Sequence, residues 1–232
     1  MRGFSYLLIA TLFVSLMIIA CGSGGPARSQ ESGNEVVVEL PDPDLDSSIS
    51  LADCLLNRSS KRDYSDRPLT LDEISGILWA AQGITRDWGA RTTPSAGGLF
   101  PIRLYVVSGN VEGLESGSWL YSPEEHSLTL VTEGELLDDL QDAAVDQQCV
   151  GSASCVIVIS AIYEVTSWKY GERSTRYIDA EAGAVCQNIY LMCESLGLGT
   201  VCIGAFYDDT IASIIGTDNM IRLIMPVGAP EE

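Results

Sequence analysis

The chain has 232 residues, 46% of them apolar, and carries 32 acidic against 13 basic side chains for a formal net charge of −19. A field this negative repels phosphate backbones, which excludes DNA and RNA as partners. The single histidine, His126, and the lack of any Cys-x-x-Cys spacing among seven cysteines leave no metal-ligand pattern, so no metal is expected.

At the N-terminus, Arg2 precedes an apolar run from Tyr6 to Ala20 that closes in Ile18-Ile19-Ala20-Cys21. A basic residue, an apolar core and a small residue before a cleavage point describe a secretory signal. The position of Cys21 resembles the acylated cysteine of bacterial lipoproteins. Residues 1–20 are therefore expected to be a signal peptide, and acylated Cys21 a lipid anchor in the cell envelope. The alternative, an uncleaved anchor helix, needs about 20 apolar residues to span a bilayer, and this run is shorter. Residues 21–48, rich in Gly, Ser, Pro and acids, read as a flexible tether. Residues 49–232 are long enough for one domain with a substantial core.

Further along, Leu51 to Asn57 reads as a short helix that runs into Arg58-Ser59-Ser60-Lys61-Arg62. Thr70 with Glu73 three residues on forms a capping box, and Ile74, Ile77, Leu78 and Ala81 keep helical spacing to Gln82. Gly83 to Gly98 reads as loop and Ile102 to Ser108 as strand. Ser118–Tyr121 and Ser127–Thr132 form a hairpin around Pro123 and His126, which is expected to be a turn residue. Glu135 to Val145 reads as helix, and Cys155 to Ile162 as a buried strand. Arg176 to Leu196 is the longest helix, stopped by Gly197. Thr200 to Phe206 reads as strand, Asp208 to Ile215 as helix, and Met220 to Val227 as the last strand. Helices and strands mix without regular alternation, which gives an α+β class with one central sheet.

Outside the cytoplasm cysteines can pair. Cys149 and Cys155, flanking a Gly-Ser-Ala turn, are the expected couple. Cys186 and Cys193 lie about 10 Å apart along their helix, too far to bridge.

Three segments can carry chemistry. Arg58, Ser59, Ser60 and Arg62 offer two guanidinium groups and two hydroxyls to a phosphate, although the same residues suit a solvated basic loop. Thr93-Pro94-Ser95-Ala96-Gly97-Gly98 is a loop whose glycines let backbone approach a flat ligand, or a plain loop before a strand. Lys169-Tyr170 can act in proton transfer if the lysine is desolvated enough to lose its charge; the alternative is a surface lysine beside a packing tyrosine.

The order and spacing of these segments, with Trp79-Ala80-Ala81-Gln82-Gly83 and Gly197-Leu198-Gly199-Thr200, resemble the nitroreductase-like FMN family and its SagB-type dehydrogenase (azoline oxidase) branch. The resemblance runs from about Arg58 to Pro230. It implies a nitroreductase fold with a central sheet flanked by helices, and a homodimer with the long helix at its interface and FMN as cofactor. It also implies phosphate binding by Arg58, Ser59, Ser60 and Arg62, and flavin contacts from Pro94, Ser95, Ala96, Gly97, Gln147, Gly199 and Thr200. Lys169 and Tyr170 are implied as acid/base residues. The sequence departs from the family at Ser59, where a second arginine is usual, and at Ala229, where a basic residue often follows Pro-x-Gly. The activity implied is hydride transfer between a small substrate and flavin. The alternatives are an NAD(P)H-dependent nitro or quinone reductase, or a non-catalytic flavin- or ligand-binding lipoprotein that keeps the fold.

Overall fold

A computed structural model describes residues 35–46 and 48–231. The expected signal peptide, Cys21 and residues 22–34 lie outside the described residues.

The strands are β1 (Val37–Glu39), β2 (Ile102–Ser108), β3 (Gly117–Ser122), β4 (Ser127–Glu133), β5 (Cys155–Ala161), β6 (Gly199–Thr200) and β7 (Met220–Gly228). They form one sheet in the order β1-β4-β3-β2-β5-β7-β6, antiparallel throughout. The helices are α1 (Leu51–Asn57), α2 (Leu71–Gln82), α3 (Leu137–Ala143), α4 (Gln148–Gly151), α5 (Glu164–Tyr170), α6 (Ser174–Ser195) and α7 (Asp208–Ile215).

Every residue of β5 is buried, because helices cover both faces of the sheet. Ile157 and Ile159 join Ile77, Leu78, Ile178, Val185 and Ile189 in the core under α2 and α6. Val156 and Val158 face the other way, toward Leu140, Val150, Ile211 and Ile215 of α3, α4 and α7. Each fully buried aliphatic side chain contributes about 1.5–3 kcal/mol relative to exposure.

The capping box forms as expected: Glu73 N–H donates to Thr70 Oγ1 at 3.3 Å, and Thr70 N–H to Glu73 Oε2 at 2.9 Å. Five expectations need correction. Part of the expected tether belongs to the domain: Val37 pairs with Thr129 at the sheet edge, and Pro41 O accepts from Ser75 Oγ at 2.6 Å. His126, expected only as a turn residue, does sit in the β3–β4 turn at φ 49°, but its ring also contacts Tyr121 OH, Ser75 Oγ and Pro41 O.

The expected helix 135–145 is shortened to α3, since Val145 and Asp146 adopt φ of 60° and 56°. The expected strand 200–206 survives in the ladder only at Thr200, where β6 ends, and at an isolated bridge between Ile203 and Ile224. Between them, Cys202 N–H turns out of the sheet to Tyr190 OH at 2.7 Å. The expected Cys149–Cys155 couple is not formed. Both thiols are free, and the sheet separates them: Cys155 faces the α2/α6 side and Cys149 the α3/α4/α7 side.

Candidate active site

Helix α6 is the platform on which the sequence-distant segments meet. Its buried stripe of Ile178, Ala182, Val185 and Ile189 docks on the sheet and α2, and this fixes the direction of the polar residues between them. Asn188 Nδ2 donates to Ala80 O at 2.9 Å and to Thr93 Oγ1 at 3.0 Å, while Thr93 Oγ1 donates to Ala81 O at 2.7 Å. The start of the Pro94–Gly98 loop is thereby locked to both helices.

One group of site residues lies toward the C-terminal end of α6. Arg58 is the residue at which α1 stops, and its guanidinium lies 5.1 Å over the Tyr190 ring. Ser60 Oγ is 3.0 Å from Tyr190 OH. Lys61 N–H donates to Thr200 O at 3.0 Å, and Lys61 Nζ pairs with Glu194 at 3.3 Å. Gly199 allows this approach, since a Cβ there would stand 3.1 Å from Lys61 Cβ and 3.2 Å from the Tyr64 ring. Among the described residues neither Arg58 nor Arg62 makes an ion pair, and Ser59, Ser60 and Arg62 are exposed. Two guanidinium groups without ion-pair partners, one of them stacked on Tyr190, beside two serine hydroxyls fit a dianionic phosphate. The hydroxyl of Thr200 turns inward to Pro226 O at 2.9 Å, so only its backbone faces this segment. Ala229 is buried, and its carbonyl accepts from Ser65 N–H at 2.9 Å. The cations that this end presents are therefore those of residues 58–62.

A second group lies toward the N-terminal end of α6, where Glu181 is nine residues from Tyr190, or about 14 Å along the axis. Gly97, at φ 65°, is approached by the ends of Lys169 and Tyr170; a Cβ there would come within 2.6 Å of Lys169 Nζ and 2.5 Å of Tyr170 OH. Helix α5, which periodicity did not disclose, ends on these two residues and aims both at the loop. Lys169 is exposed, its ammonium 5.4 Å from the centre of the Tyr170 ring, so the single chain does not supply the desolvation expected of a neutral base. The Tyr170 ring packs on Tyr177 at 4.6 Å. Ser95 Oγ accepts from Phe100 N–H at 2.9 Å, which closes the loop. Pro94 is exposed, and Ala96 opens the short 3-10 turn that ends at Gly98.

Beneath this loop lies a residue that no motif singled out. Glu181 is 3% exposed, and its Oε1 has no hydrogen-bond partner. Burial pushes its carboxyl up to about 7, although Ser95, Arg91 and Gln82 nearby favour the charged form. Its sequence signal is a lone acid on the buried stripe of the longest helix, next to Ala182 and one turn after Ile178. Gln147 belongs to neither group by its hydrogen bonds: its Nε2 donates to Ala144 O at 2.9 Å and to Ala205 O at 3.3 Å.

Comparison with known proteins agrees with this architecture. Residues 55–229 match the model of the Nitroreductase family. MJ1384 of Methanocaldococcus jannaschii, a protein that carries a nitroreductase name, is 44% identical over 196 residues, 84% of this chain and 98% of its own. The microcin B17-processing protein McbC of Escherichia coli is 25% identical over 146 residues, 59% of this chain and 52% of its own. Among solved structures, a nitroreductase-named protein of Ralstonia eutropha superposes with a TM-score of 0.76 at 31% identity, covering 84% of this chain and 90% of its own. With the antiparallel sheet, the long helix and the loops converging on it, these matches establish that the chain is an oxidoreductase of the Nitroreductase family.

Proposed function

We propose that this oxidoreductase uses FMN and belongs to the SagB-type dehydrogenase branch. The observation that carries the reading is the convergence of Lys169 and Tyr170 on Gly97, because it joins the branch's lysine–tyrosine pair to the loop expected against the flavin. Arg58 and Arg62, with Ser59 and Ser60, would hold the FMN phosphate, and Pro94 to Gly97 would lie against the ring system. When bound, the flavin supplies two-electron chemistry by exchanging a hydride with a small substrate. This chain's part is to hold the substrate near Gly97 and to move the accompanying proton through Lys169 or the Tyr170 hydroxyl. Oxidation of a heterocycle such as a thiazoline fits this division, since one C–H leaves as hydride and a second hydrogen as a proton.

A homodimer is part of the proposal. Leu51, Leu55 and Leu56 on α1 and Trp168 on α5 are exposed, and an open groove beside α1 and α6 is lined by Ile49, Leu51, Trp79, Leu191 and Met192. A second copy on these faces would bury apolar side chains, and bound FMN together with that copy would give Lys169 the cover it lacks in the single chain. Export and anchoring through acylated Cys21 remain part of the proposal on the strength of the apolar run before it.

A second reading, reduction of nitro compounds or quinones by a reduced nicotinamide, is favoured by the 44% identity to MJ1384. The two readings differ over Lys169, which only the oxidation requires as a base.

The test is an absorbance titration of the purified chain with FMN. A perturbed flavin spectrum that dithionite bleaches is expected. No spectral change at high micromolar FMN would overturn the cofactor assignment.

A further inference from the structure

Tyr190, on the buried stripe of α6, makes three contacts at the cationic end of the site. The Arg58 guanidinium lies 5.1 Å over its ring, Cys202 N–H donates to its hydroxyl at 2.7 Å, and Ser60 Oγ stands 3.0 Å from the same hydroxyl. Distance alone does not say which hydroxyl donates in the contact with Ser60, but a count of protons does. A tyrosine hydroxyl carries one proton and accepts through its lone pairs. The Cys202 N–H can only donate, so it occupies a lone pair of the Tyr190 oxygen. The Tyr190 proton then needs an acceptor, and among the described residues Ser60 Oγ is the one in contact with it. Tyr190 is only 9% exposed, and a buried donor left without a partner is costly. Ser60 is exposed and its hydroxyl makes no other hydrogen bond among the described residues, so its own proton is free for a group outside the chain. Hydrogen bonds in such a row polarise one another and strengthen the last donor. A free O–H beside the guanidinium groups of Arg58 and Arg62 suits an anionic oxygen, which only accepts.

We propose that Tyr190 is the positioning residue of the phosphate site. It takes the Cys202 N–H, gives its own proton to Ser60, and so fixes the Ser60 hydroxyl as a donor to a phosphate oxygen. Its ring holds Arg58 at the same time, so one side chain of α6 sets two phosphate ligands on a segment 130 residues earlier. The proposal rests on the FMN phosphate reading above and deepens it. The site is built to favour a phosphorylated flavin, and riboflavin, which has no phosphate, gains nothing from the arrangement.

The test measures affinity for FMN and for riboflavin, by quenching of flavin fluorescence, in the purified native chain, Tyr190→Phe, Ser60→Ala and the double variant. Phenylalanine keeps a ring under Arg58 and removes only the hydroxyl. Tyr190→Phe and Ser60→Ala are each expected to weaken FMN binding about tenfold or more, the usual effect of losing one hydrogen bond to a charged group. The double variant should bind FMN like Ser60→Ala alone, because the tyrosine acts through the serine. Riboflavin affinity should stay the same throughout. A tyrosine that only supports the fold would weaken both flavins alike, or add its loss to that of Ser60→Ala. Either result overturns the proposal, as does native FMN affinity in Tyr190→Phe. A native chain that binds FMN no better than riboflavin sinks the phosphate reading itself and this inference with it, so the two failures are told apart. Should Tyr190→Phe not fold, Ser60→Ala and Ser60→Thr decide. The loss in the alanine variant must be confined to FMN and recovered by threonine, which keeps the hydroxyl; a loss shared by riboflavin, or none at all, overturns the proposal.

Discussion

The two ends of α6 pose different physical problems and solve them with different residues. Near Tyr190 and Glu194 the chain gathers fixed charge: Arg58, Lys61, Arg62 and the two serines between them, set against a tyrosine ring and the backbone of β6. Near Glu181 it gathers groups that can gain or lose a proton: a lysine, a tyrosine and a buried carboxyl around one glycine-bearing loop. Guanidinium groups keep their charge across the physiological range and so suit an anchor. Lysine and buried carboxylates change charge with their surroundings and so suit chemistry. The comparison teaches that affinity and turnover should be separable in this protein.

The largest effect expected from breaking that separation is on turnover. Lys169→Ala should lower the oxidation of a model thiazoline by the FMN-loaded chain about 10²–10⁴-fold, the usual range for loss of a general base. Bound flavin, counted by absorbance, should not change. Unaltered turnover would return Lys169 to the surface and favour the reductase reading.

Glu181 sharpens the account of the same end. Its carboxyl titrates near 7 when folded against an ordinary value of 4.5, so the native state holds the proton more tightly than the unfolded chain does. The contribution to stability is complete below pH 4.5 and is lost as pH rises through about 7, by about 3 kcal/mol in all. Urea unfolding at pH 4.5 and 7.5 should show Glu181→Gln losing less stability across this window than the native chain, by about that amount. Equal losses would mean that Glu181 is already ionised at the lower pH.

Gly97→Ala is the smallest of these changes. A residue with a Cβ held at φ 65° costs about 1–2 kcal/mol, and the methyl meets only the flexible ends of Lys169 and Tyr170. Thermal stability should drop slightly, while the kcat of thiazoline oxidation should fall by more than that drop explains. A kcat that follows stability alone would show that the contact with Lys169 and Tyr170 is incidental.

The fold was legible wherever a pattern was local. The Thr70–Glu73 capping box, the β-branched run of β5 and the periodicity of α6 each reflect contacts within one element or one buried face. What escaped depends on partners distant in sequence. β1 looks like linker because its three residues become strand only through pairing with β4. The strand expected after Thr200 breaks because Tyr190, ten or more residues earlier, takes the Cys202 N–H. The Cys149–Cys155 spacing invites a bond that the sheet between the two thiols prevents. Within the site, Lys169, Tyr170 and Gly97 were readable as motifs, but not α5, which aims two of them at the third. Glu181 was hidden for a different reason: an acid on a helix reads as solvated until the loop above it is in place.

The division between the two ends is tested most directly by titrating FMN into two variants side by side, Arg58→Ala/Arg62→Ala and Lys169→Ala. Each charge-assisted hydrogen bond is worth about 1.5–3 kcal/mol, so the double arginine variant should bind FMN about a hundredfold more weakly or worse. Lys169→Ala should bind it like the native chain. Native affinity in the arginine variant, or a comparable loss in Lys169→Ala, would contradict the assignment of anchoring to one end of α6 and proton transfer to the other.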